Sequence, residues 1–274
     1  MIQGWKRKAP GAGALLCACL LSACVTISGG GAGPEGSVVA VPPMSQQPAQ
    51  TDERNRAKVH TELGALYAQD GRFAVALEEA KIALTSDAGY APAYSLQGLV
   101  YMALGDRGQA EEAFRRALAI APNDPEVNNN YGWFLCQSGR PADSISRFRL
   151  AYRNPFYQTP TNPYMNAGIC FLKMKDYKAA EEHLNLALRA TPSNIQARYW
   201  LAETYYQSGR LAEARQQVVD LGRMRDPIVE VVWLGARIER KAGDRDAELK
   251  YTTLMRRKFQ ETPQYQSMMQ GQFE

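Results

Sequence analysis

Residues 91–122 read APAYSLQGLVYMALGDRGQAEEAFRRALAIAP, and their spacing decides the fold. Gly98 and Ala110 are small where two helices would have to approach closely, while Tyr101 and Phe114 supply the bulk between them. Gly105 ends the first helix and Pro122 ends the second. Sliding this frame by about 34 residues in either direction finds the same positions filled again. Backward, from Ala57, come Leu63, Gly64, Tyr67, Gly71, Ala76, Ala80 and Ala83. Forward, the unit from Pro125 carries Gly132, Leu135, Gly139, Phe148 and Ala151. The next starts near Thr161 with Gly168, Phe171, Ala180, Leu184, Ala187 and Pro192, after two extra residues in the loop holding Pro155 and Pro160. A unit from Ile195 has Leu201, Ala202, Tyr205, Gly209, Ala214 and Val218. A weaker one from Val229 keeps Ala236 and Gly243 and then loses register, with Ala247 one place early.

Six such units resemble the tetratricopeptide repeat, a helix-turn-helix of about 34 residues with this Gly, Ala, aromatic and Pro pattern. The resemblance implies an all-α fold, a right-handed solenoid over residues 56–262 in which each repeat buries its apolar face against its neighbours. Residues 263–274 follow as a polar tail containing Met268 and Met269.

Outside the repeats the chain changes character. Lys6, Arg7 and Lys8 precede a small, apolar run from Ala9 to Leu21, which is the layout of a secretory signal and is too short to span a bilayer. It ends in Leu21, Ser22, Ala23 and Cys24, which resembles a bacterial lipobox, so residues 1–23 are expected to be removed and Cys24 to carry lipid. Val25, where an aspartate would resemble an inner-membrane retention signal, favours the outer membrane. Residues 24–55, with Gly29, Gly30, Gly31, Gly33, Pro34, Gly36, Pro42, Pro43 and Pro48 and almost no charge up to about Gln50, have the composition of a flexible tether.

Composition narrows the function. Hydrophobic residues at 45% and charged residues at 22% exclude wholesale disorder, and three of the charges behind the net +4 lie in the signal. His60 and His183 have no neighbours at metal-ligand spacing, no Gly-rich phosphate loop follows a strand, and no Ser, His and Asp set suggests a nucleophile. The paired acids, such as Glu78 with Glu79, have lysine or arginine close by on the same helix and form solvated faces. The chain is expected to bind rather than catalyse, with no cofactor, metal or nucleic-acid partner, and to be a monomer.

Recognition is expected on the concave face, lined by the first helix of each repeat. Its fifth, ninth and twelfth places are Ser95, Leu99 and Met102 in the second unit, then Asn129, Trp133 and Cys136, then Met165, Ile169 and Leu172, then Tyr199, Glu203 and Tyr206. Leu99, Met102, Asn129, Trp133, Met165, Ile169, Tyr199 and Tyr206 are candidates for a groove that holds a helix or an extended peptide; the alternative is that the apolar ones are core. Asn130 and Asn166, at the sixth place of consecutive units, offer amides that could bond a peptide main chain or a nearby helix. The sixth unit carries Arg237, Arg240 and Lys241 among interleaved acids, a solvated face or a contact for an acidic segment. With Cys17 and Cys19 in the signal and Cys24 lipidated, Cys136 and Cys170 remain on adjacent repeats. A disulfide between them is expected in an oxidising periplasm, two buried thiols being the alternative.

The run Asn129, Asn130, Tyr131, Gly132, Trp133, Phe134, Leu135 and Cys136, with the lipobox, tether and repeats, resembles the type IV pilus biogenesis and stability lipoproteins, the pilotins. That resemblance implies secretin subunits as partners, the periplasmic face of the outer membrane as location, and help with secretin localisation and multimerisation as function, with the early repeats implicated. A repeat lipoprotein scaffolding other envelope proteins, such as cell-wall hydrolases, is the alternative.

Overall fold

A computed structural model describes residues 40–222 and 228–273. Among them the chain alternates long helices in antiparallel pairs: α1 (Asp52–Gln69) with α2 (Phe73–Ser86), α3 (Ala91–Ala103) with α4 (Arg107–Ile120), and α5 (Pro125–Gln137) with α6 (Pro141–Tyr152). Then come α7 (Thr161–Lys173) with α8 (Tyr177–Ala190), α9 (Ile195–Gln207) with α10 (Leu211–Gly222), and α11 (Val229–Ala242) with α12 (Arg245–Lys258), closed by the short α13 (Pro263–Met269). Each first helix also packs on the first helix of the next pair, which makes the fold a solenoid of six hairpins.

Local chemistry starts and stops these helices where the repeat demands. Asp106, Asp176, Asn194 and Asp244 each accept a hydrogen bond from the backbone N–H three residues on, at 2.7–3.1 Å. The first helix of a pair ends in a left-handed residue, glycine at Gly71, Gly105, Gly139, Gly209 and Gly243 with φ between 73° and 85°. The fourth pair differs: Lys175 takes that conformation with φ 61°. Inside the pairs, a Cβ added at Gly98 would stand 2.7 Å from the Phe114 ring, so the missing side chain is what admits the phenyl group. Phe114, Ala110 and Ala117 are fully buried.

Three boundaries differ from expectation. The first helix opens at Asp52, because Thr51 caps it through the Arg54 N–H at 3.2 Å and Asp52 and Glu53 favour its positive end. The tether reading fails for residues 41–45, which lie against the solenoid: the Val41 carbonyl accepts from Asn154 at 2.8 Å, the Met44 N–H donates to Asp124 at 2.7 Å, and Ser45 bonds Glu126. Met44 packs against two clusters, one around Tyr90 and Ala57 and one around Ala91, Ala117 and Val127. Residues 263–274 were expected as a polar tail. Instead Thr262 caps α13, and Met268 is buried with Val232 and Met255, covering an apolar face that the last hairpin would otherwise expose.

Candidate partner-binding groove

The candidate groove residues divide into three neighbourhoods. Leu99 and Asn130 line a cavity of about 200 Å³ over the first three repeats, walled by Ala65, Tyr90, Ser95 and Leu96 and bordered by Ser45. Met102 and Leu99 also lean on the cluster formed by Phe114, Tyr131 and Phe134. Further along, Met165 and Ile169 are buried at 9% and 4% exposure in one large cluster with Leu201, Ala202 and Leu234, against which Trp133 and Tyr199 pack. For Met165 and Ile169 the choice left open by the sequence falls to core: an apolar side chain gains by leaving water, and the neighbouring repeat supplies the surface. They form the floor of the concave face rather than a free stripe. Burial, with the Glu203 carboxylate nearby, pushes the Tyr199 hydroxyl up to about 12. Tyr206, also buried, belongs to the same cluster but borders a separate basic cup.

The asparagines bond one another. Asn166 Nδ2 donates to Asn129 Oδ1 at 3.0 Å, Asn129 Nδ2 to Asn130 Oδ1 at 3.2 Å, and Asn130 Nδ2 to Ser95 Oγ at 3.1 Å. This amide ladder ties the fourth, third and second repeats together along their inner face. Asn130 and Asn166 remain partly exposed and Asn129 is buried at 7%. Among the described residues no buried side-chain polar atom lacks a partner. Polar recognition along the groove therefore has to use or displace this ladder.

Cys136 and Cys170 are joined in a disulfide between α5 and α7, their Cα atoms 5.9 Å apart. The bridge sits beside Phe148 and Ala167, immediately behind Trp133. Cys24, the signal and the first part of the tether lie outside the described residues. Among the described residues there is no group of His, Cys, Asp and Glu fit to hold a metal, and no helix is long and apolar enough to cross a membrane. His60 pairs with Glu79, and His183 bonds the Ala179 carbonyl of its own helix.

Two features escaped the sequence reading. The first is the strap of residues 40–47, which brings Ser45 to the groove cavity; the only signal in the sequence was Pro43 and Met44 at the edge of a polar stretch. Asp124 and Glu126, which receive this strap, are shielded enough that burial pushes both carboxyls above the usual carboxylate range. At Asp124 three N–H donors oppose the shift, from Met44, Val127 and Glu126. The second feature is Phe273, whose ring lies against Trp233 at the far end of the concave face.

Stacked hairpins with a shared inner face define a tetratricopeptide-repeat scaffold, and residues 91–124, 113–146 and 171–226 match the Tetratricopeptide repeat family. The type IV pilus assembly protein PilF of Pseudomonas aeruginosa is 26% identical over 223 residues, which span 81% of this chain and 88% of that one. The crystal structure of PilW, described as a widely conserved type IV pilus biogenesis factor, superposes with a TM-score of 0.73 at 31% identity, over 78% of this chain and 98% of PilW. A structure of Pseudomonas aeruginosa PilF shares the fold, with a TM-score of 0.68 at 24% identity over 81% of this chain and all of that one. The chain belongs to the PilW family of type IV pilus biogenesis tetratricopeptide-repeat proteins.

Proposed function

We propose that this protein is a lipid-anchored pilotin of the outer membrane, which holds secretin subunits and promotes their localisation and multimerisation for type IV pilus biogenesis. Family membership is the observation that carries the reading. The lipobox-like sequence at Leu21 to Cys24 and the apolar cavity at Leu99 and Asn130 agree with it. Its work is capture without catalysis. A client held in a groove near the bilayer is kept at high effective concentration where it must insert, so assembly no longer waits on free diffusion. Several acyl chains on Cys24 would make the anchor stable, since each buried methylene contributes about 0.8 kcal/mol and one chain alone binds only marginally.

Deleting the gene and assaying heat-stable secretin multimers in outer-membrane fractions tests the function. Multimers should fall sharply, and normal multimers would refute the pilotin role. Cys24→Ala should leave the solenoid folded and release it from the membrane fraction; retention there would refute the anchor. Leu99→Glu, placed in the groove cavity, should cut secretin capture at least tenfold with the helical circular-dichroism signal unchanged. Full capture by that variant would move the site elsewhere.

A further inference from the structure

The far end of the concave face carries a second site with its own chemistry. Lys175, Arg237, Arg240 and Lys241 surround a cup of about 720 Å³ floored by Tyr206. Arg237 is fixed there: its guanidinium is 3.2 Å from the Glu203 carboxylate and stacks 4.5 Å from the Tyr206 ring, which Lys241 approaches at 4.7 Å. Arg240 pairs with Glu248 at 3.0 Å. Among the described residues neither Lys175 nor Lys241 has a carboxylate within ion-pair distance, so among these residues two of the cup's four cations have no paired acid.

Two independent features indicate what the cup takes. The first is Lys175, which holds the left-handed conformation that glycine holds at the same helix end in the other five repeats. A side chain makes that conformation costly, and such cost persists where the side chain is used. Here it places an ammonium group on the rim. The second is Phe273, already seated in the cup. Its carbonyl accepts from Arg237 Nε at 3.1 Å, its ring packs 4.9 Å from Trp233, and the Arg240 guanidinium lies 4.0 Å from its centre. Among the described residues, Phe273 meets the charge around it with this backbone carbonyl and its ring.

We propose that this cup is a peptide-binding site for a partner segment in which an aromatic residue lies next to carboxylates, and that Phe273 is a resident placeholder which such a segment displaces. The aromatic ring would take the place of Phe273 between Trp233 and Arg240, and the carboxylates would pair with Lys175 and Lys241. The site is remote in sequence from the cavity at Leu99 and does not depend on the secretin reading.

A fluorescent peptide with the sequence of residues 268–274, MMQGQFE, is the probe, titrated into full-length protein at low salt and followed by anisotropy. Phe273→Ala in the protein should tighten probe binding at least fivefold by emptying the cup. Lys175→Gly should raise Tm, because glycine relieves the backbone, and should weaken the probe at least fivefold. Lys241→Gln should weaken it similarly with Tm unchanged. A peptide with its Phe replaced by Ala, or its Glu by Gln, should lose most of its affinity. If Lys175→Gly raises Tm and leaves binding unchanged, or Phe273→Ala fails to tighten it, the proposal is overturned. Equal binding of the Glu-to-Gln peptide would likewise overturn it.

Discussion

Gly98 shows how one missing atom sets the spacing of a repeat. An alanine there would be favoured by helix propensity by about 1 kcal/mol. Its Cβ, however, would meet the fully buried Phe114 ring at 2.7 Å, and overpacking of a closed core costs about 1–3 kcal/mol. Gly98→Ala is therefore expected to destabilise the protein by about 1 kcal/mol, read as a lower urea midpoint; a rise would mean the ring yields freely. Asp124 makes a different residue-scale statement. Burial raises its carboxyl and that of Glu126, so the folded chain holds protons at a pH where the unfolded chain has released them. Their contribution to stability is thus present below the ordinary carboxylate range and lost as pH rises through the raised values. Between the two, stability should rise as pH falls. Asp124→Asn keeps an oxygen for the Val127 N–H and should flatten that rise in urea midpoints measured against pH. Identical slopes would show that the carboxylate carries none of it.

At the scale of helices, the hairpins could be read directly from the chain because their determinants are short-range: Gly105 before Asp106 stops one helix and caps the next, and Gly98 faces Phe114 within a single repeat. The Cys136–Cys170 pair was also legible, since a period of about 34 places the first helices of neighbouring repeats side by side. The groove was legible only in part. Periodicity assigns Met165 and Ile169 to the inner face of α7, but which inner-face side chains the next repeat covers is a matter of packing between α7 and α9, the first helices of successive hairpins with α8 between them in the chain. The amide ladder from Asn166 to Ser95 depends on the same inter-repeat registration. The disulfide bears on that registration. Closing a loop of 34 residues removes unfolded-state entropy worth about 3–4 kcal/mol. Cys136→Ala with Cys170→Ala should lose about that much in urea unfolding, as should the wild type under reductant; coincident curves with and without reductant would remove the bridge from the account of stability.

Over the whole molecule, a solenoid in which each repeat meets only its neighbours should open from its ends. The two ends are built differently. The first hairpin buries mainly alanines, Ala57, Ala76, Ala80 and Ala83, whereas the fourth and fifth share the large cluster around Ile169, Leu184, Leu201 and Tyr205. On packing alone α1 and α2 would be the first to exchange. The strap of residues 40–47 works against this, because it breaks the nearest-neighbour rule. Met44 fills the seam between the first and second repeats, its N–H reaches the cap of α5, and the Val41 carbonyl reaches Asn154 after α6. Contacts spread in this way make opening of the first repeat cost the strap's contacts on the third and on the loop leading to the fourth as well. Met44→Ala removes the plug while leaving every helix cap in place. In hydrogen exchange followed by mass spectrometry, peptides from α1 and α2 should then exchange several-fold faster and those from α8 to α10 at the wild-type rate. A uniform acceleration would mean that Met44 acts on global stability, and no change would mean that the strap does not hold the first repeat at all.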